Sequence, residues 1–244
     1  MFSEPPAGAN LEVWTVWLDA SEAANRTFRS LLSSEEVLRA DRFATEALTA
    51  SYQTSHGVLR VLLAQYLKRD PHEIEFTVGR AGKPALKIEL GMHFNMSHSG
   101  TLAAYAFTSA GPVGVDIEQI RSVSDLEGIA KHHFCPAETT ELLSIADQEQ
   151  RRDAFFRCWT RKESYIKALG DGLSMPLDQF QVTLLPDIPA RLVHIQNSVR
   201  AASAWTLRHL EPTSGYLGAV AYQVGEHHFK MHPPLHAQEI LGLL

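Results

Sequence analysis

Two carboxylates stand one residue apart in the segment VGVDIE, at Asp116 and Glu118. Apolar residues alternate with them, which predicts a strand, and alternation between its two faces puts both acids on the same face as Gly114. Further along the chain, four-residue spacing in WTRKESYIKALG predicts a helix that carries Glu163 and Lys167 on one stripe with Trp159. Three carboxylates and a lysine could therefore converge at one place.

Such a group suits phosphate chemistry. Magnesium prefers oxygen ligands and keeps room for waters and substrate phosphates, and a lysine stabilises developing phosphate charge. Structural alternatives stay open at this point, because Asp116 and Glu118 could form the solvated polar face of an edge strand, and Glu163 and Lys167 a surface ion pair. Nearby glycines leave space for a ligand, and the apolar residues beside the helical stripe place Glu163 and Lys167 at the edge of buried surface. Alternation alone still favours the edge strand for Asp116 and Glu118, so the site needs further support from the sequence.

The composition limits the classes of protein that fit. With 244 residues, 45% of them apolar and 20% charged, the chain can form one large domain or two small ones. A formal net charge of -6 disfavours nucleic-acid binding, so an anionic substrate requires a local basic pocket or a metal. The two cysteines indicate a reducing compartment, and neither a secretion signal nor a membrane span is found, so we expect a cytoplasmic protein without membrane contact.

The elements that must position these residues follow from periodicity. Residues 11–18 predict a strand, Ser33 with Glu36 a capping box, and apolar residues from Leu48 to Tyr66 a helix with one buried stripe that ends before Asp70 and Pro71. Short strands follow to about residue 108, and the SAGP turn near residue 111 marks the best internal boundary. Beyond it we expect helical pieces over 126–143, a long helix over 148–169, and strands near residues 181, 205 and 216–224.

Other polar segments have structural explanations of their own. The segment FNMSHSG contains Asn95, Ser97, His98 and Ser99, which could be turn residues that bond their own backbone. The GRAGKP loop lacks the spacing of a P-loop and predicts a plain hairpin. The histidine pairs and the histidine-rich tail match no closed zinc site, so we interpret them as surface residues.

Taken together and in order, FNMSHSG, VGVDIE and WTRKESYIKALGDGL, with the GKP turn upstream, resemble the motifs of 4'-phosphopantetheinyl transferases of the surfactin-synthetase-activating type. The similarity spans about residues 33 to 184, and the joint occurrence is far more specific than any single motif. The resemblance implies an α+β fold of two pseudo-symmetric halves, 1–110 and 111–244. It also implies mainly antiparallel sheets, each packed on a long helix, and an active site in the cleft between the halves.

The same resemblance implies the residue roles. Asp116, Glu118 and Glu163 would hold Mg²⁺, Glu163 would be the general base, and Lys167 would act on the departing phosphate. The first half would bind the nucleotide of coenzyme A and the second half would carry the metal. The residues implied in coenzyme A binding are Arg39, Arg80, Gly82, Lys83, Pro84, Ser97, His98, Lys162 and Lys167.

One departure from the family pattern concerns the 3'-phosphate of coenzyme A. An arginine expected near the centre of the first long helix is Ser51 in this chain. Either Arg39, Arg42 or Arg60 compensates, or the grip on that phosphate is weaker. Glu138 matches a further acidic position of the family pocket, without an assigned role.

The implied reaction moves the phosphopantetheine arm of coenzyme A to a serine of an acyl or peptidyl carrier domain and releases adenosine 3',5'-bisphosphate. We expect a monomer whose partners are coenzyme A and apo-carrier domains. Two alternatives remain: a magnesium-dependent phosphatase or nuclease, and a non-catalytic module that binds carrier protein or coenzyme A. Release of the bisphosphate separates the three.

Overall fold

The computed structural model describes residues 9–79, 83–88, 90–170, 175–223, 225 and 227–244, with only the backbone at 9, 78 and 227. These residues form a mixed α+β structure. Its helices are α1 Glu22–Leu31, α2 Ser34–Ala40, α3 Glu46–Leu67, α4 Leu126–His133, α5 Pro136–Ser144, α6 Gln148–Leu169, α7 Val199–Ala202 and α8 Ala237–Ile240. Its strands are β1 Ala9–Trp17, β2 Phe76–Val78, β3 Pro84–Leu86, β4 His93–Ser99, β5 Leu102–Thr108, β6 Val113–Gln119, β7 Phe180–Val182, β8 Leu192–Ile195, β9 Trp205–Leu210, β10 Tyr216–Gln223, β11 His227–Met231 and β12 Leu235–His236.

The first sheet has the order β11-β1-β5-β4, with β12 also beside β1. Strand β5 pairs antiparallel with β1 and with β4, whereas β11 and β12 pair parallel to β1. Helix α3 packs on this sheet and buries Leu59 and Leu62 with Tyr105 and Phe107 in one core. The burial of these apolar groups supplies most of the driving force for this part of the fold.

Local signals in the sequence explain helices α2 and α3, which lie between β1 and the other strands of this sheet along the chain. The capping box predicted at Ser33 and Glu36 is confirmed, since each side chain bonds the other residue's backbone N–H. Helix α3 is also confirmed, and it ends in a left-handed turn at Lys68 before the Asp70-Pro71 stop. The prediction for Leu48 is wrong, because its side chain is 51% exposed at the first turn and lies outside the buried stripe.

A second sheet has the order β6-β10-β9 and is antiparallel throughout. Helix α6 packs across β6 and β10. Its predicted bounds are confirmed, because Asp147 caps the first turn and Gly170 ends the last one at a φ of +77°, a conformation that glycine adopts without strain. The buried faces of α6 and the surrounding strands form their own apolar core, which includes Phe155, Phe156 and Phe180.

The C-terminal segment returns to the first sheet. Strands β11 and β12 lie along β1 with Leu11 opposite Phe229 and Trp17 opposite His236. The side-chain amide of Gln65 in α3 also donates to the carbonyl of Leu243. The division at residue 110 stays a prediction, but it did not anticipate that β11 and β12 pair with the N-terminal strand. No described helix is both long enough and apolar enough to cross a bilayer.

We predict that His232 anchors this returning segment. Its ring stacks on Trp14 at 3.5 Å between centroids, and its Nε2 lies 2.7 Å from a carboxylate oxygen of Glu12 in a half-buried site. The substitution His232→Ala should lower the free energy of unfolding by about 1 to 2 kcal/mol, because it removes both contacts. Chemical denaturation against His228→Ala, an exposed position in β11, measures the effect. Equal midpoints for the two variants would contradict the anchoring role.

Candidate active site

Strand β6 presents its two acids toward α6. The apolar side chains of β6 lie in the core between the two sheets, so Gly114, Asp116 and Glu118 face the other way. A Cβ on Gly114 would lie 2.1 Å from the carbonyl oxygen of Ser164 and 2.3 Å from the backbone nitrogen of Ala168. Only glycine therefore allows α6 to pack this closely on β6.

The solvated edge-strand alternative for the two acids is wrong. Asp116 is only 4% exposed, and its Oδ1 accepts hydrogen bonds from the Lys167 ammonium at 2.7 Å and the Ser97 hydroxyl at 2.9 Å. The Lys167 ammonium also donates to Ser97 Oγ at 2.8 Å. Three elements, β4, β6 and α6, therefore meet at one carboxylate, and the predicted convergence of Asp116 with Lys167 is found.

Glu118 and Glu163 lie close enough to Asp116 to respond to its charge. Burial raises the pKa of Glu118, a hydrogen bond from Ser99 at 2.6 Å opposes that rise, and the charge of Asp116 adds to it. Burial also raises the pKa of Glu163, and the negative charges of Asp116 and Glu118 raise it further while Lys167 lowers it. These like-charge effects place the three acids around a common region.

The donor set suits a divalent cation, although its geometry is not that of a completed metal site. Within the described part of the chain, the second oxygen of Asp116, Oδ2, is buried without a hydrogen-bond partner. The carboxylate of Glu163 likewise has no hydrogen-bond or ion-pair partner among those residues. However, the described residues contain no group of three or more Asp, Glu, His or Cys already arranged around a single point. The oxygen-only chemistry thus fits magnesium, and its binding would require the acids to move together.

A row of aromatic and basic side chains runs from α2 toward this site. The Arg39 guanidinium lies 5.7 Å from the ring centre of Tyr52, which stacks on His56 at 3.8 Å between centroids. Burial lowers the pKa of His56 to about 4, so this imidazole is neutral near neutral pH. His98 is exposed, but neighbouring atoms remove part of its ring from water. This partial burial and the charge of Lys167 both lower the pKa of His98.

Of the three arginines considered for the 3'-phosphate, Arg60 is not available. It is 2% exposed, bonds Glu36 through two nitrogens, and donates to two backbone carbonyls. Arg39 and Arg42 are both exposed. Ser51 in α3 is half-buried. Of the three arginines, only Arg39 in α2 and Arg42 in the turn after it can therefore offer a free cation, and a weaker grip on the 3'-phosphate is the alternative.

Lys83, expected on the adenine side, contacts the elements of the site through its side chain, which bonds backbone carbonyls of other residues. Its ammonium donates to the carbonyls of Val113 at 2.9 Å and Lys167 at 2.7 Å, and burial lowers the pKa of Lys83 to about 8. It thereby links the hairpin of β2 and β3 to β6 and to the last turn of α6, where a cation is favoured. Pro84 opens β3, whereas Arg80 and Gly82 lie outside the described residues.

Lys162 and Glu138 do not face a ligand. Both side chains are 0% exposed, and the Lys162 ammonium lies 2.8 Å from Glu138 and donates to the carbonyls of Leu177 and Phe180. The carboxylate of Glu138 also accepts the backbone N–H groups of Cys135 and Val182. The structure therefore does not support a contact between Lys162 and the pyrophosphate, and it gives Glu138 a structural partner instead of a pocket role.

Two residues near the acids were not assigned a role from the sequence. Ser99 bonds Glu118, and Asn95 accepts the backbone N–H of Val115 at 2.8 Å. The sequence did carry a signal for these two residues, because every second residue of FNMSHSG from Asn95 is polar and thus shares one face of β4.

A cavity of about 280 Å³ also opens beside Glu118, with Phe155 and Trp159 among its lining residues. Phe134 and Phe156 belong to the apolar core of this part of the fold.

Comparison with known proteins identifies relatives over most of the chain. Residues 112–221 match the family model described as the 4'-phosphopantetheinyl transferase superfamily. The chain is 37% identical over 214 residues to the 4'-phosphopantetheinyl transferase HetI of Nostoc sp., covering 86% of each chain. It is 34% identical over 179 residues to the 4'-phosphopantetheinyl transferase Sfp of Bacillus subtilis, covering 72% of this chain and 78% of that one. A putative 4'-phosphopantetheinyl transferase of Synechocystis sp., slr0495, is 34% identical over 162 residues, covering 66% of this chain and 64% of that one.

The buried ion pair generates a prediction about stability. The substitution Lys162→Met should lower the free energy of unfolding by about 3 to 5 kcal/mol, because it leaves the Glu138 carboxylate buried without its cation. The matched control is Lys131→Met, which breaks a pair of similar length with Glu127 at the surface. The control should change stability little, since exposed pairs contribute little.

Thermal and urea denaturation of the three proteins measures the difference. Partial recovery of stability in the double variant Lys162→Met with Glu138→Leu would confirm that the unpaired charge causes the loss. A stable Lys162→Met variant that binds coenzyme A weakly would contradict the structural role.

Proposed function

The chain belongs to the 4'-phosphopantetheinyl transferase superfamily, and from that premise we propose that Asp116, Glu118 and Glu163 hold a magnesium ion for its reaction. The reaction transfers the 4'-phosphopantetheine arm of coenzyme A to a serine of a carrier protein. The observation that supports the metal proposal most directly is the meeting of β4, β6 and α6 at Asp116, whose Oδ2 is buried and free among the described residues.

Charge supports the same assignment. Burial raises the pKa values of Glu118 and Glu163, and the charge of the neighbouring acids raises them further, whereas the Lys167 ammonium opposes the rise at both and Arg121 opposes it at Glu118. A bound magnesium ion would relieve this repulsion and neutralise the pyrophosphate of coenzyme A.

Glu163 is the residue we assign as general base. The attacking serine hydroxyl must give up its proton as its oxygen bonds to the phosphorus that bears the pantetheine arm. The raised pKa of Glu163 brings this carboxylate toward the range in which proton transfer is efficient. Its freedom from other hydrogen bonds within the described part of the chain leaves it able to accept that proton directly or through a water.

Lys167 is the residue we assign to the leaving group. As the new phosphorus–oxygen bond forms, the bond to the adenosine 5'-phosphate breaks, and negative charge develops on the departing oxygen. The Lys167 ammonium is already positioned beside Asp116 and Ser97, and its side chain is 29% exposed. It can therefore stabilise that charge or donate a proton, with adenosine 3',5'-bisphosphate as the product.

On the nucleotide side we assign the 3'-phosphate to Arg39, the exposed cation at the start of the basic and aromatic row. Ser97, which bonds Lys167, and the neighbouring His98 suit the remaining phosphates. The exposed Arg42 is a second cation for the same phosphate, whereas the buried Arg60 is not. Lys83, Pro84, Arg80 and Gly82 remain predictions for the adenine side.

The wider assignments belong to the same proposal. Helices α3 and α6 each have 22 residues and each pack on a sheet, which supports two related halves with coenzyme A in the cleft between them. The sheet under α6 is antiparallel as expected, whereas the sheet under α3 is mixed, because β11 and β12 run parallel to β1. We assign a monomer that works in the cytoplasm on apo acyl or peptidyl carrier domains, without nucleic acid or membrane as partners. The cavity beside Glu118, with its aromatic lining, suits the uncharged pantetheine arm.

One prediction from this proposal concerns the acids. Asp116→Asn and Glu163→Gln should each lower transfer by at least about 100-fold, because one removes a metal ligand and the other the base. Transfer is measured as the mass gain of an apo-carrier domain together with release of adenosine 3',5'-bisphosphate in the presence of magnesium. The control Glu211→Gln removes an acid that is 63% exposed and pairs with His209, and it should leave transfer unchanged.

Two results would count against this assignment. Transfer by Glu163→Gln at the rate of the unchanged protein would exclude that residue as base. Release of the bisphosphate in the absence of any carrier would indicate a hydrolase instead of a transferase.

Another prediction from this proposal concerns the 3'-phosphate. Arg39→Ala should raise KM for coenzyme A about tenfold, because a charge-assisted contact is lost, and it should leave KM for 3'-dephospho-coenzyme A unchanged. Arg26→Ala, which removes an exposed arginine of α1, is the matched control. If Arg39→Ala affected the two donors equally, the assignment to the 3'-phosphate would be wrong, and the same comparison for Arg42→Ala would test the neighbouring cation.

A further inference from the structure

The edge of β6 that lies opposite β10 forms hydrogen bonds with side chains instead of with the backbone of another strand. In its sheet β6 is a terminal strand, with β10 along one edge. Along the other edge, the backbone N–H of Val115 donates to Asn95 Oδ1 at 2.8 Å and that of Gln119 donates to Ser99 Oγ at 3.1 Å. Both acceptors belong to β4, which is a strand of the other sheet.

These bonds come from one face of β4, which consists of Asn95, Ser97 and Ser99 and which we call the polar face of β4. All three residues are buried, at 5%, 8% and 7% exposure. The alternate residues Phe94 and Met96 point into the core under α3, as the two-residue period of a strand requires. The alternation of polar and apolar residues in the sequence of β4 therefore turns its polar face toward β6.

The contacts also align the two strands in one register. The bonded residues are 19 or 20 positions apart at both ends of the contact, so β4 and β6 run side by side in the same direction. A slip of one residue would turn Asp116 and Glu118 to the opposite face of β6. The polar face of β4, together with the pairing of β6 with β10, thus opposes a displacement that would separate these acids from Glu163.

Ser99 has a second contact that a simple edge cap would not require. Its hydroxyl donates to Glu118 Oε2 at 2.6 Å while its oxygen accepts the N–H of Gln119. A hydrogen bond this short to a carboxylate is charge-assisted and directional. One side chain therefore fixes both the backbone next to Glu118 and the direction of its carboxylate.

We propose that Ser99 and Asn95 are positioning residues of the transfer reaction, which hold β6 in register and direct Glu118 toward the metal. Asn95 acts on the backbone alone, and Ser99 acts on the backbone and on a ligand. The inference rests on the proposed magnesium site, and it extends that site to residues that touch neither substrate nor metal. Partners that orient metal ligands typically change metal affinity or activity by about 10- to 100-fold when removed.

The experiment compares Ser99→Ala with Ser99→Thr, which keeps the hydroxyl, and with Thr108→Ala. Thr108 is a matched control because its hydroxyl is also buried and also accepts a backbone N–H, that of Ala110, in the neighbouring strand β5. Mn²⁺ binding in the presence of coenzyme A is followed by electron paramagnetic resonance, without any carrier and hence without turnover. Amide hydrogen exchange at Gln119, kcat and KM for coenzyme A are measured on the same proteins.

Ser99→Ala should weaken Mn²⁺ binding about tenfold, lower kcat by a similar factor and leave KM for coenzyme A within about twofold. Exchange at Gln119 should become faster. Ser99→Thr should restore binding at least in part, Thr108→Ala should change none of these quantities, and Asn95→Ala should show a smaller loss than Ser99→Ala, since it touches no carboxylate.

Two results separate the failure of this inference from the failure of the metal site. If the unchanged protein binds Mn²⁺ and Ser99→Ala binds it equally well, the positioning role is wrong and the metal site stands. If the unchanged protein binds no Mn²⁺ with coenzyme A present, the metal site is wrong and the positioning role fails with it.

Discussion

The buried carboxylate of Asp116 is the group on which the rest of the site depends. A charge this far from water has to be balanced by partners, because the desolvation cost is otherwise large. The protein supplies partners for only one oxygen, through Lys167 and Ser97, and leaves Oδ2 without one among the described residues. Glu118 and Glu163 add like charge nearby, so the cluster as a whole carries more negative charge than its single lysine can balance.

Close packing around the site holds the three acids near one another despite this excess of negative charge. Gly114 lets the backbone of α6 approach β6 at a distance that any Cβ would prevent, and this contact brings Lys167 within reach of Asp116. Lys83 then bonds the carbonyls of Val113 and Lys167 and ties the same two elements to the hairpin before β4. Repulsion among the acids is therefore opposed by close backbone contacts on one side and by the polar face of β4 on the other.

The sequence predicts the elements of this site better than their partners. The bounds of α6 follow from Asp147 and Gly170, and the alternation in VGVDIE places both acids on one face, because these signals act over a few residues. Lys162 and Lys167 look alike in the sequence, yet one is fully buried and the other lies at the site. Their difference is set by Glu138 and by carbonyls of residues 177 and 180, which local periodicity does not reveal. The return of residues 227–244 to β1 is a parallel pairing across most of the chain and gives no local signal either.

The partners of the basic side chains bear on how an acidic protein binds an anionic donor. Arg60 and Lys162 are neutralised in the interior by acids and carbonyls, and Lys83 is committed to two carbonyls, so none of them presents a free charge. Among the described residues, the cations left near the site include Lys167, Arg121 beside Glu118 and the exposed arginines of the first half, within a molecule of net charge -6. These groups are few for a ligand with a pyrophosphate and a 3'-phosphate. On the proposed function, the metal therefore contributes to binding as well as to chemistry, and the acids that hold it convert a repulsive surface into an attractive one once the ion is in place.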